Sequence, residues 1–195
     1  MTIFDLLFIG IFLGSVGMLI VMLVSLLRGR VRQAGKLLAG YALGLALYLG
    51  VVAVVGLVSP ARRLAPGQER CFDDWCISVK SAQRAEAQGQ SVYTVEMQLK
   101  NSALRATQRE NGVVVYLQDS QGRRYPPMDD SRALPFNALL QPGETLVSTR
   151  IFTLPQDAGP VALALEHEGG RRFPGVFIIG DDSSLFHKAT MMELP

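Results

Sequence analysis

The sequence predicts a two-helix transmembrane hairpin followed by an all-β sandwich of about seven strands. Residues 6–27 and 37–58 each run 22 positions without a charge, which carries the first half of that expectation. Beyond residue 70, short apolar–polar alternations separated by Gly, Pro and Asp turns carry the second. With 195 residues, 49% hydrophobic and 18% charged, and a mean hydropathy of +0.24, the chain fits one domain plus an appendage. It does not fit a disordered tail, a collagen-like fibre or a disulfide-dense mini-protein. A net charge of +2 gives little electrostatic support for nucleic-acid binding.

At about 1.5 Å rise per residue, each uncharged run reaches roughly 33 Å, enough to cross a hydrocarbon core of about 30 Å. Fifteen of residues 6–27 are Leu, Ile, Phe or Val. At roughly −0.3 to −0.6 kcal/mol each, they favour insertion by several kcal/mol. A signal peptide would begin with a basic region, whereas here the only early charge is Asp5, so the first run reads as a retained helix. Ser59-Pro60 ends the second run, because proline removes a donor and cannot continue a helix.

The loop 28–36 carries Arg28, Arg30, Arg32 and Lys36, whereas from residue 61 onward 15 Lys and Arg face 16 Asp and Glu. The positive excess therefore lies between the helices. The positive-inside rule keeps that loop cytoplasmic and puts the N-terminus and everything after Ser59 outside, with Arg62 and Arg63 as weaker opposition. Small residues recur at four-residue spacing: Gly10 and Gly14 on the first helix, Gly40 and Gly44, and Ala46 and Gly50, on the second. Such faces suit a tight pairing of the two helices, or docking onto the helices of a partner. No ionisable residue lies deep in either span, which argues against an ion path through this chain alone.

Residues 61–70 read as a polar linker with a Pro-Gly turn, leaving 71–195 as the exposed domain with a C-terminal tail. In 93–100, Tyr93, Val95, Met97 and Leu99 alternate with Thr94, Glu96, Gln98 and Lys100, the pattern of a strand with one buried face. Residues 112–117 form a continuous apolar strand, and 119–122 turn it into Arg123-Arg124-Tyr125. Pro142-Gly143 opens a strand at roughly 145–153, and 161–168 alternates again. Gly169-Gly170 turns into Arg171-Arg172-Phe173, and a short strand is expected near 176–179. With no convincing amphipathic helix, two packed antiparallel sheets are the natural solution.

Taken in order, Tyr93 to Asn101, Leu117 to Tyr125, Leu140-Gln-Pro-Gly-Glu-Thr145 and Phe152-Thr-Leu-Pro155 carry a resemblance. The chain resembles the bacterial telokin-like, immunoglobulin-fold domain of unknown function found on many exported proteins and lipoproteins. In that family a strand ending in Lys-Asn precedes an Asp-x-x-Gly hairpin, a Pro-Gly-Glu turn and a strand ending in Phe-x-x-Pro. The match covers about residues 92–179. Ser148 departs from the small glycine often found there, and a two-helix anchor stands where the family has a signal peptide or lipid. The resemblance implies an immunoglobulin-like sandwich outside the cytoplasm, in a bacterial inner membrane, and brings no catalytic residues.

Cys71 and Cys76 would lie where disulfides persist. Residues five apart in a strand are too distant to bridge, so a bond requires 72–75 to turn back, and Asp73-Asp74 is suitable turn material. The spacing is not that of a Cys-x-x-Cys redox motif. Trp75 suits core packing or the membrane interface better than a ligand platform. The pairs Asp73-Asp74, Asp129-Asp130 and Asp181-Asp182, the last with His187, offer oxygen ligands but read first as turns. His167 and His187 stand in no Ser-His-Asp order. Arg123-Arg124 and Arg171-Arg172 read as solvated hairpin edges, with a patch for an acidic partner or lipid headgroups as the sharper alternative.

No cofactor, metal or nucleic acid is expected. The partners are the bilayer and a protein. The first functional expectation is a non-catalytic interaction module displayed outside the membrane. The second is an accessory subunit docking through its glycine-faced helices, and the third a redox or metal-dependent activity at the cysteine or aspartate pairs.

Overall fold

A computed structural model describes residues 3–87, 89–130, 133–167, 174–181 and 184–195. Two helices come first, α1 (Ile3–Leu27) and α2 (Val31–Val58), both long and apolar enough to cross a membrane. Gly29 turns the chain between them at φ +71°, which a β-carbon disfavours. Its N–H reaches Leu26 O at 2.9 Å, and Arg30 N–H reaches Ser25 O at 2.9 Å. This pair of bonds is the Schellman closure, which satisfies carbonyls the helix end would orphan. The expected loop 28–36 is therefore much shorter than its charges suggested. Val31, Arg32, Gln33, Ala34, Gly35 and Lys36 already belong to α2, most of them good helix formers.

The helices meet along a seam. Partly or fully buried positions recur at 11, 15, 18, 22 and 25 on α1, and at 34, 37, 41, 48, 52 and 55 on α2. Intervals of three, four and seven keep one side of each helix turned inward. The two serines on this seam return their hydroxyls to their own helix, Ser15 Oγ to Ile11 O at 2.7 Å and Ser25 Oγ to Val21 O at 2.8 Å. They therefore need no water within an apolar medium. The glycines lie elsewhere. A β-carbon added at Gly10, Gly14, Gly40, Gly44 or Gly50 would meet nothing within 4 Å, and Ala46 is exposed. The expected tight pairing through glycine faces is thus corrected: other positions at heptad-like spacing turn inward, among them Ser15, Ser25, Ala34 and Val52.

Among the described residues nine strands follow: β1 (Arg63–Leu64), β2 (Arg70–Phe72), β3 (Trp75–Ala87), β4 (Gln90–Asn101), β5 (Val113–Asp119), β6 (Arg124–Tyr125), β7 (Thr145–Pro155), β8 (Val161–His167) and β9 (Thr190–Glu193). One sheet has the order β1-β9-β8-β5-β6, the other β2-β3-β4-β7. The chain is a β-sandwich of two sheets preceded by two apolar helices. Alternation builds its core: Ile77, Val79, Val95, Met97, Leu99, Phe152 and Leu154 from one sheet meet Val115, Leu117, Leu163, Leu165 and Met192 from the other. Each such side chain is worth roughly 1.5–3 kcal/mol when fully buried.

Several elements depart from expectation. Residues 61–70 are not merely a linker, because Arg63–Leu64 pairs in parallel with β9 at the sheet edge. The 13-residue β3 was missed because Lys80, Arg84, Glu86 and three alanines hide its period. It needs little apolar signal, since β4 pairs with it along its whole length. Near 176–179, where a strand was expected, a 3-10 turn spans Gly175–Phe177. Pro174 before it lacks the N–H that a ladder would use. The Gly169-Gly170 turn and the Arg171-Arg172 pair lie outside the described residues. Nor is 71–195 one body: Gly170–Lys188 clusters with Met1–Pro60, and the sandwich comprises Ala61–Gly169 and Ala189–Pro195.

Asn101, fully buried, ties two loops, the β4–β5 and β6–β7 connections. Its Nδ2 donates to Ala106 O at 2.8 Å and Leu140 O at 3.0 Å, and its Oδ1 accepts from Ala103 N–H at 2.9 Å. Its backbone N–H and carbonyl bond Glu144 O and Gly143 N–H, each at 3.0 Å. The Lys-Asn and Pro-Gly-Glu motifs are therefore two halves of one structural knot. Replacing Asn101 with Ala is expected to destabilise the sandwich by about 2–3 kcal/mol. Urea unfolding followed by the emission of Trp75, the only tryptophan and a core residue, reads this directly.

Candidate functional site: an open sheet edge beside β5

The hairpin Asp119–Tyr125 is locked by one carboxylate. Asp119 Oδ1 accepts the N–H groups of Gln121 and Arg123, both at 2.9 Å. Its Oδ2 accepts Arg123 Nε at 2.6 Å and the Tyr125 hydroxyl at 3.0 Å. Arg123 continues to Asp157 Oδ2 at 2.9 Å. Burial pushes the Asp119 carboxyl up, but the bonds from Arg123, Tyr125 and Gln121 outweigh it and hold it below its ordinary value. Arg123 is thus consumed inside the fold and offers no patch for an acidic partner.

The same hairpin sets the hydrogen-bond phase of β5. Asp119 N–H bonds Arg123 O, and Leu117 faces Tyr125. Backbone groups point to alternate sides along a strand, so Val113 and Val115 turn theirs toward the β6 side. The ladder stops there because the next residues are Pro126 and Pro127. Pro127 stands where an N–H would have met Val115 O, and it has none. The chain instead crosses to the other sheet, where Pro127 bridges Phe152 and Met128 N–H bonds Ile151 O at 2.7 Å. Among the described residues, no strand covers residues 113–116 on this side.

A cleft of about 350 Å³ opens along that edge, lined by residues 113–116, Arg124, Pro126, Pro127 and Phe136. Its polar groups are committed. The Tyr116 hydroxyl donates to Glu166 Oε1 at 2.6 Å, and Arg124 lies 4.7 Å over the Tyr116 ring while pairing with Glu166 at 3.3 Å. Burial, and then the bond to the Glu166 carboxylate, push the Tyr116 phenol well above its ordinary value, so it remains a neutral donor. Arg150 stacks 4.5 Å from the Phe136 ring. The lining therefore combines apolar walls, backbone groups and fixed polar side chains, without a nucleophile or a free base. Apolar walls beside strand backbone are the features by which a sheet edge takes up an extended peptide. The free edge of β3 beyond β2 differs: it is bulged between Val79 and Ser81 and carries Lys80, Arg84 and Glu86, which discourage pairing.

The other candidates scatter. Cys71 and Cys76 face each other across the β2–β3 hairpin, joined by a disulfide, with their Cα atoms 3.9 Å apart. Asp73, at φ +52°, and Asp74 make the turn that brings them together. Glu69 lies beside the two sulfurs, but these are bonded to each other, and Glu69 pairs with Lys100 at 3.2 Å. Trp75 is core. Asp129 and Asp130 are exposed in the loop after Pro127. His167 pairs with Glu110 at 3.0 Å in the sandwich, whereas Asp181 and His187 belong to the helical unit. Asp182 lies outside the described residues. Arg28, Arg30, Arg32 and Lys36 are all exposed. Ser148, buried, donates to Leu134 O at 2.8 Å and accepts from Arg150 at 2.9 Å, a role glycine could not fill. Sequence reading missed the open edge, although the Pro126-Pro127 pair was the available signal.

No family model matches the chain, and no curated protein matches it. Among solved structures it is similar to an uncharacterised β-sandwich protein of Clostridium difficile 630, at 10% identity over 70% of this chain and 96% of that one, with a TM-score of 0.44. It is also similar to the secreted protein MPT63 of Mycobacterium tuberculosis, at 13% identity over 56% and 92% of the two chains, with a TM-score of 0.43. A conserved hypothetical protein of Bacillus anthracis aligns at 14% identity over 52% and 87%, with a TM-score of 0.38.

The Asp119 clamp has a pH signature. Its folded pKa lies below the unfolded value near 3.8, so it contributes stability above that pH and loses it as pH falls through the folded value. Asp119→Asn is expected to lower stability at neutral pH and to flatten its fall below about pH 4, where the unfolded carboxyl begins to protonate. Denaturant midpoints measured across pH 2–7 check both effects.

Proposed function

We propose that the chain is a two-span protein of the bacterial inner membrane that displays a telokin-like, immunoglobulin-type sandwich outside the cytoplasm. The sandwich binds an extended segment of a partner protein along the open edge of β5 and performs no reaction of its own. The observation that carries this reading is the apolar cleft lying along the side of β5 where, among the described residues, no strand pairs with Val113 and Val115. Added strands draw affinity from backbone bonds and specificity from side-chain pockets, and this edge offers both. The four cations around the turn support an inward loop and an outward domain. The Cys71–Cys76 bond supports the same side, since disulfides persist outside the cytoplasm.

A second reading has its own observation. Among the described residues, a β-carbon at Gly10, Gly14, Gly40, Gly44 or Gly50 would meet nothing within 4 Å. Such faces accept a close helix, which fits an accessory subunit that docks within the bilayer.

Crosslinking in native membranes separates the two. Val114→Lys with Phe136→Ala is expected to reduce partner capture at least tenfold while Trp75 emission stays native. Replacing Gly14, Gly44 and Gly50 with Leu is expected to leave capture intact. The opposite pattern would transfer the function to the helices.

A further inference from the structure

Between β8 and β9 the chain visits α2. Three contacts mark its path there. Lys188 Nζ donates to Leu57 O at 3.1 Å and to Ser59 O at 2.8 Å, at the very end of the helix. One turn further in, Gly56 lies directly under the carbonyl of Leu185, where a β-carbon would collide. Further still, the Tyr48 hydroxyl donates to Phe177 O at 2.5 Å. Tyr48 stands ten residues before Val58, which places it about 15 Å along the helix from its outer end. It is also near the middle of the uncharged run 37–58. The segment therefore descends alongside α2, from a lysine at the rim to an apolar stretch well inside the run.

The composition of the stretch matches that position. Residues 174–180 read Pro-Gly-Val-Phe-Ile-Ile-Gly and carry no charge. Val176, Phe177, Ile178 and Ile179 are each only partly buried within the protein. The backbone closes on itself: Phe177 N–H bonds Pro174 O and Ile178 N–H bonds Gly175 O, both at 2.9 Å, while Asp181 N–H bonds Ile178 O at 3.4 Å. Non-helical backbone enters hydrocarbon only where its polar groups find partners in the protein. Tyr48 supplies one for Phe177 O, and that carbonyl in turn takes up a hydroxyl that would otherwise be stranded in the span.

From these contacts we propose that residues 174–180 form a re-entrant turn seated in the outer leaflet beside α2, with lipid acyl chains covering Val176, Phe177, Ile178 and Ile179. The turn is then a third point of membrane contact, one that returns from the sandwich itself. Lys188 sits at headgroup level, its amine on the last carbonyls of α2 and its stem along the helix. The inference rests on reading α1 and α2 as membrane spans.

The test uses the full chain in phosphatidylcholine–phosphatidylglycerol nanodiscs containing a phospholipid with a diazirine on its acyl chain. Trypsin cuts after Arg172 and Lys188, so the turn is recovered as the single peptide 173–188. Adducts are expected on α1, on α2 and on this peptide at Val176 to Ile179, with the turn within about threefold of the exposed leucines of α2. Adducts on the helices with none above background on 173–188 overturn the inference while leaving the spans intact. Adducts on neither overturn the spans, and the inference with them. In the same nanodiscs, Ile178→Cys is expected to react with a membrane-impermeant maleimide at least tenfold more slowly than Leu104→Cys, whose parent side chain is 95% exposed. Equal rates for the two variants also overturn it.

Discussion

A peptide group that enters hydrocarbon has no water to bond, and much of the helical unit follows from that constraint. With α1 and α2 taken as membrane spans, as proposed above, it requires both to be helical and folds the hydroxyls of Ser15 and Ser25 back onto their own helix. It also explains why an element as irregular as residues 174–180 approaches α2 by way of Tyr48. The same accounting, applied to the sandwich, locates the opposite case: at Val113 and Val115 the ladder stops because two prolines have no donor to give.

The sandwich stiffens around that opening. Asp119 spends all its acceptor capacity on one hairpin, and Asn101 spends its side chain and backbone on two loops. Tyr116, Arg124 and Glu166 lock one another at the wall of the cleft. A recognition edge benefits from such rigidity, because a preorganised surface loses less conformational freedom on binding. None of these polar groups is left to do chemistry at the cleft, which is why binding, not catalysis, is the proposed role.

Much of this was legible in the sequence, and the failures have physical causes. The 22-residue uncharged runs identify two long apolar helices through sheer length, and the alternation of Tyr93, Val95, Met97 and Leu99 identifies a half-buried strand because a single face decides it. β3 was hidden because it needs only one partner strand and tolerates Lys80, Arg84 and Glu86 on its free edge. The glycine spacing was visible, but not which side of the helix turned inward, since that depends on a competing seam that carries Ser15, Ser25, Ala34 and Val52. The tail left no readable pattern because β9 is four residues long and its register is set by β1 and β8. The open edge was written in Pro126-Pro127, yet its meaning needed the phase set by Asp119 and Arg123.

The account stands on the sandwich lying outside and the turn at Gly29 lying inside. Two independent arguments converge on it, the cations flanking that turn and the disulfide across the β2–β3 hairpin. The most direct measurement places paired reporters, one active only in the cytoplasm and one only outside it, at Gly29 and after Pro195. The account predicts that the cytoplasmic reporter is active at Gly29 alone and the external reporter after Pro195 alone. The reverse pattern, with the free thiols of Cys71 and Cys76 recovered from intact cells, would contradict it.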